Sequence, residues 1–181
     1  LYEKTDPDNT RLFVRGVLVG CYAQSGLGSV YDYSVADPDR MLVSEERLIK
    51  NYWDYVRAAA KLLGRIPVFE VAHSIVIAVE EGRAHFEESV LGVLDNYAPL
   101  ARKVWRRAVH EVYGGRIAVT CNDLAIDADC EQIFGYRVIR PRSNDVRAFL
   151  RGLGVPKSSE IVPLGKHFLY EQIEHTAIDA A

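Results

Sequence analysis

The sequence predicts an α/β protein, a single domain over residues 1–181 with a central mixed or mainly parallel sheet and flanking helices. Three observations carry this. Segments of helical periodicity alternate with short apolar runs rich in β-branched residues, which favours a layered α/β architecture. The stretch from Arg116 to Asp145 reads as strand, short helix, strand and helix cap. No Pro/Gly/Ser-rich linker divides the chain, and 181 residues suit one core. An α+β fold with a more helical middle third is the alternative, because residues 66–95 carry both patterns.

The polar, turn-rich residues 1–10 lead into a first strand, Leu12 to Val19, interrupted at Gly16. Gln24 to Arg40 holds Gly26, Gly28 and Pro38 and reads as a long loop. Ser44, followed by Glu45 and Glu46, caps a helix on which Leu48, Tyr52, Val56, Ala59 and Leu63 recur at helical spacing before Gly64. From Ile66 to Glu81 the β-branched content favours strand, whereas Val71, Ile75 and Val79 also fit one stripe of a buried helix; the balance tips slightly to strand. Helical patterning resumes over Ala84–Leu94 and again over Tyr97–Tyr113, stopped by Gly114 and Gly115. Arg116–Ala128 reads as strand, followed by a short helix to Phe134, a turn at Gly135 and a strand over Tyr136–Arg140. Ser143 to Asp145 cap a helix through Phe149 and Leu150. Residues 155–181 form an amphipathic tail, with Phe168, Leu169, Ile173 and Ala177 on one face, suited to docking on the domain or on a partner.

Composition narrows the function classes. Hydrophobic residues at 49% and charged residues at 26% are those of a globular protein. Runs such as Ser74–Val79 fall far short of the roughly 20 apolar residues a membrane span needs. The chain is therefore expected to be soluble, and with Leu at position 1 no secretory leader is expected. Three cysteines, Cys21, Cys121 and Cys130, show no CxxC spacing, which argues against a disulfide framework and for a reducing, cytoplasmic setting. The net charge of −3 gives no global pull toward nucleic acid, so such a partner must be read from local clusters.

The densest chemical constellation is Asn122-Asp123-Leu124-Ala125-Ile126-Asp127-Ala128-Asp129-Cys130-Glu131 at the end of an apolar strand. Carboxylates gathered there hold a hard cation such as magnesium or manganese, which activates water or clamps phosphate oxygens. On this reading Asp123, Asp127 and Asp129 are the catalytic acids, and Asp127, Asp129 and Glu70 hold the metal. The competing reading is that Asp127 and Asp129 cap the following helix and Asp123 sits in a turn. The order of Asp123 or Asp127, Gly135, Val138-Ile139 and Asp145 is similar to the late part of PIN-type ribonucleases, in which an Asp opens a helix ending at Gly before a strand and a further acid. Those enzymes share an Asp near the end of the first strand, where this chain has Val17-Leu18-Val19-Gly20, and the chain is not assigned to them.

On the helix at 97–113, Leu100, Val104, Ala108 and Val112 form an apolar stripe, and Arg102, Lys103, Arg106, Arg107 and His110 project opposite. Arg102, Arg106 and Arg107 are the expected contacts to a phosphate backbone, or else belong to a solvated face paired with neighbouring acids. Gly20, Gly26 and Gly28 match no nucleotide-binding glycine loop. His167, Glu171 and His175 share a helix face, where ion pairing competes with metal binding. The expected function is a divalent-metal-dependent phosphodiesterase or nuclease-like activity on a phosphate-containing substrate, with nucleic acid as the candidate. The alternative is a non-catalytic assembly subunit that meets a second copy or another protein through residues 164–181.

Overall fold

The computed structural model describes residues 1–4, 10–22, 28–35, 52–94 and 98–163. Arg15 and Gly16 both take positive φ, 50° and 79°, the geometry of a two-residue hairpin turn whose twist matches its strands. The single strand expected over Leu12–Val19 is therefore a hairpin, β2 (Thr10–Val14) and β3 (Val17–Tyr22), with the register shifted between Leu12 and Phe13. β4 (Tyr31–Val35) pairs parallel with β2 and antiparallel with the short β1 (Tyr2–Glu3), giving the order β1-β4-β2-β3. Leu12 and Tyr33 turn inward from this sheet and are fully buried.

α1 (Tyr52–Leu63) continues the helix expected before Gly64; the Ser44 cap lies outside the described residues. The next segment corrects the sequence reading. Phe69–Glu80 is a helix, α2, in which Ala72, Ile75, Val76 and Val79 follow the i, i+3, i+4, i+7 pattern of one buried stripe. Its β-branched residues are helical because that stripe packs against α4 (Pro99–Tyr113), and tertiary burial outweighs a few tenths of a kcal/mol of intrinsic preference per residue. α3 (His85–Gly92) lies between α1 and α6 (Asn144–Gly152), so the middle third is built of helices joined by short turns, with no strand among its described residues.

α4 is turned about one position from the expected face. Ala101, Trp105, Ala108, Val109 and Tyr113 are buried, and Leu100 is 61% exposed. Trp105 donates its indole N–H to the Leu63 carbonyl at 3.3 Å and meets Phe149 edge-on, tying α1, α4 and α6 together.

The strand expected over Arg116–Ala128 stops early. β5 is Ile117–Val119, and α5 (Leu124–Gln132) begins where Asp123 caps its first turn. β6 (Arg137–Ile139) pairs parallel with β5, and on β5's other side Lys157 forms a parallel bridge to Val119 just before α7 (Ser158–Ile161). α5 is followed by Gly135 at φ 69°, then β6, and Asp145 lies in the first turn of α6. The molecule is thus mixed α/β, and the strands of the described residues fall into two separate small sheets. One apolar core runs from Leu12 to Val155, and a satellite of Ala118, Cys130, Val138 and Val162 lies between the parallel strands and α5. Residues 164–181, with His167, Glu171 and His175, lie outside the described residues.

Candidate functional site at the carboxyl ends of the parallel strands

Parallel strands deliver their carboxyl ends to one edge, the place where open α/β sheets bind ligands. Here that edge is built by Thr120 to Asp123 after β5, by Arg140 to Arg142 after β6 and by Ser158 at the start of α7. Asn122 takes φ 69°, a left-handed conformation that asparagine tolerates better than most residues, and the chain turns sharply from strand into helix. Asp123 then accepts hydrogen bonds on Oδ1 from the backbone N–H groups of Ala125 (3.0 Å) and Ile126 (3.2 Å).

One turn later Asp127 points inward and is fully buried. The hydroxyls of Ser158 and Thr120 each donate to it at 2.5 Å, to Oδ1 and Oδ2, and the Cys121 backbone N–H donates to Oδ1 at 3.3 Å. The Arg140 guanidinium stands 3.8 Å from Oδ2. Burial alone pushes a carboxyl pKa up, but the Ser158, Thr120 and Cys121 hydrogen bonds and the Arg140 charge together hold Asp127 below the ordinary value. Both oxygens are thus committed to protein donors. Thr120 also accepts from Asn122 N–H and Ser158 from Cys121 N–H, so one buried carboxylate fixes the loop after β5, α5 and α7.

The other predicted acids are placed apart from it. Asp123 is exposed, and its Oδ2 has no partner among the described residues. Asp129 lies two positions along α5, on a different face from Asp127. Glu70 is on α2, exposed, in the first turn. Among the described residues, no group of three His, Cys, Asp or Glu side chains gathers as a metal site.

The predicted arginines are anchored. Arg102 donates to the Gly152 carbonyl at 2.7 Å, and Arg106 donates to the Leu153 carbonyl from Nε and Nη2 at 3.1 and 2.7 Å, so the two close the end of α6. Arg107 lies over the Phe69 ring at 4.3 Å. No protein-family model matches the chain, and no match was found among curated proteins or solved structures.

Beside β6 a cleft of about 260 Å³ opens between the strand end and α2, α3, α4 and α6. Its walls include Arg137, Arg140, Arg142, Glu80, Glu88 and Tyr113. Arg137 pairs with Glu80 at 3.2 Å and lies over Tyr113, and Arg140 donates to Glu131 at 3.2 Å. Arg142 differs from both. Its guanidinium rests against the bare Cα of Gly82, at φ 73°, and it has no acid or carbonyl partner among the described residues. In sequence Arg142 is visible only as one of several late arginines; its place directly after a parallel strand and before the Ser143 helix cap is the signal that singles it out.

A second carboxylate was not legible as special. Glu87 on α3 is fully buried; its Oε1 accepts from Val30 N–H (2.8 Å) and the Tyr33 hydroxyl (2.7 Å), and its Oε2 has no partner. Burial pushes its pKa up to about 7, against the lowering effect of those bonds, and burial beside Glu87 raises Tyr33 well above a tyrosine's ordinary value. Its sequence signal is the helical spacing of Glu87 with Val90, Leu91 and Leu94, which places it on the buried stripe.

Proposed function

We propose that this protein binds a phosphate-containing ligand at the carboxyl edge of β5 and β6 and hydrolyses a phosphodiester there with a divalent cation. The observation that carries the reading is Arg142, an uncommitted guanidinium in a cleft at the end of a parallel strand, next to the N-terminus of α6. A guanidinium offers paired donors in the fork geometry that phosphate oxygens accept, and a helix N-terminus favours the same charge. Asp127 acts as a positioning residue, since its oxygens are already taken. Asp123 is the acid with an oxygen to offer an ion. Magnesium and manganese suit such a site, because magnesium keeps several waters and uses one or two carboxylates together with substrate phosphates rather than a full protein cage.

The test is calorimetric titration of inorganic pyrophosphate, with manganese-dependent hydrolysis of bis(p-nitrophenyl) phosphate measured in parallel. Arg142→Ala is expected to weaken pyrophosphate binding about tenfold, the loss of one charge-assisted pair. Asp123→Asn is expected to abolish the metal-dependent rate with binding retained. Unchanged pyrophosphate affinity in Arg142→Ala defeats the binding site, and an unchanged rate in Asp123→Asn defeats the hydrolysis.

A further inference from the structure

Away from the strand edge, α1 and the end of α3 bound a groove of about 460 Å³. Its rim carries Trp53, Arg57, Lys61 and Arg65, with Ala60 and Leu94 along the floor. Trp53, Arg57 and Lys61 recur every fourth position on α1, so successive members rise by about 6 Å and drift only about 40° around the axis, and Arg65 follows in the turn just past the helix end. An exposed indole and two cations therefore line one edge of α1, and Arg65 adds a third cation to the groove from the turn that follows. Trp53 is 50% exposed, although tryptophans are on average largely buried. Arg57 is ion-paired with Asp54, the acid on its own helix, and Arg65 has no acid partner among the described residues. In a chain of net charge −3 this is a local concentration of positive charge around an aromatic face.

We infer that this groove binds single-stranded nucleic acid, the strand's phosphates following Arg57, Lys61 and Arg65 and a base stacking on Trp53. Two features select that occupant over an acidic protein segment. Arg57 and Lys61 stand one helical turn apart and the groove is lined by three cations and no acid, which suits successive phosphates, and the half-exposed indole supplies the platform that sequence-tolerant single-strand binding uses. The surface is separate from the cleft at Arg142, shares no lining residue with it, and does not depend on hydrolysis occurring there.

The experiment is fluorescence anisotropy of labelled oligo(dT) and oligo(U) with the full chain, together with quenching of intrinsic tryptophan fluorescence. The chain has two tryptophans, and Trp105 is 1% exposed, so quenching reports Trp53. Trp53→Ala is expected to weaken binding about tenfold and abolish quenching, whereas Trp53→Phe retains most of the affinity. Replacing Arg57, Lys61 and Arg65 with Ala is expected to lower the slope of log affinity against log salt by about 0.7 per cation. These positions are on the surface, and circular dichroism melts confirm that each variant folds. Absence of oligonucleotide binding by the unaltered chain overturns the inference, as does undiminished binding by Trp53→Ala. Equal binding and quenching by polyglutamate overturns it in favour of an acidic-peptide site. Arg142→Ala separates the two sites: oligonucleotide affinity that survives it and fails in the α1 variants supports the groove, and the reverse pattern overturns it.

Discussion

The Ser158 hydroxyl donates to Asp127 Oδ1 at 2.5 Å across 31 residues of sequence, joining α7 to α5 beneath the end of β5. With Thr120 on the other oxygen, the buried carboxylate is held between two buried hydroxyls. Asp127→Asn keeps the size but turns an NH₂ group toward one of those two donors. It is expected to cost about 3 kcal/mol, a fall in Tm of about 10 °C, and Ser158→Ala about half as much. Thermal melts check both; a shift within about 2 °C for Asp127→Asn contradicts the assignment of a structural anchor.

Asp127 and Glu87 make opposite contributions to the pH dependence of stability. Asp127 is held below its ordinary pKa, so its stabilisation is present above about pH 4 and is lost as pH falls through the folded value. Glu87 is raised to about 7, so its contribution is complete below about pH 4.5 and is lost as pH rises through 7. Full ionisation of Glu87 costs about 3 kcal/mol, because the charge is then fully buried with one oxygen unpartnered, which the bonds from Tyr33 and Val30 offset only in part. Glu87→Gln keeps an acceptor for Val30 and Tyr33 and cannot ionise. Its Tm is expected to match the parent near pH 5 and exceed it by several degrees at pH 9. Parallel Tm profiles across that range contradict the prediction.

Arg106 separates stability from binding on α4. Its two bonds to the Leu153 carbonyl close α6, and a Cβ at Gly154 would come within 2.7 Å of Nη2 while φ is already 88°. Arg106→Ala is expected to cost about 1–2 kcal/mol, with Arg106→Lys recovering only part because an ammonium has no fork. Oligonucleotide titration of the same variants distinguishes the roles: lost affinity with unchanged Tm indicates a contact to ligand, and lost Tm with unchanged affinity indicates the cap.

How far the sequence showed these features depends on whether the cause is local. Ser143 as a cap, Gly114 and Gly135 as stops and the helical stripe on α1 are local signals and were readable. The helix at α2 was hidden because Val71, Ile75, Val76 and Val79 carry both a strand composition and a helical spacing, and only packing on α4 decides between them. The acids after β5 stood out as a group. Their separation did not, because it depends on Thr120 and Ser158 drawing Asp127 inward while Asp123 stays at the helix start. Ser158 lies 31 residues away, and no spacing rule reaches that far.

Gly82 tests the cleft without removing a charge. Its φ of 73° suits glycine, and the Arg142 guanidinium occupies the space a methyl group would take. Gly82→Ala therefore combines backbone strain of about 1–2 kcal/mol with displacement of the guanidinium. Pyrophosphate affinity is expected to fall in this variant as it does in Arg142→Ala, with every arginine still present. Calorimetric titration beside a thermal melt reads both effects. A destabilised variant with unaltered pyrophosphate affinity would show that the position of Arg142 over Gly82 is a packing feature and that the anion is held elsewhere.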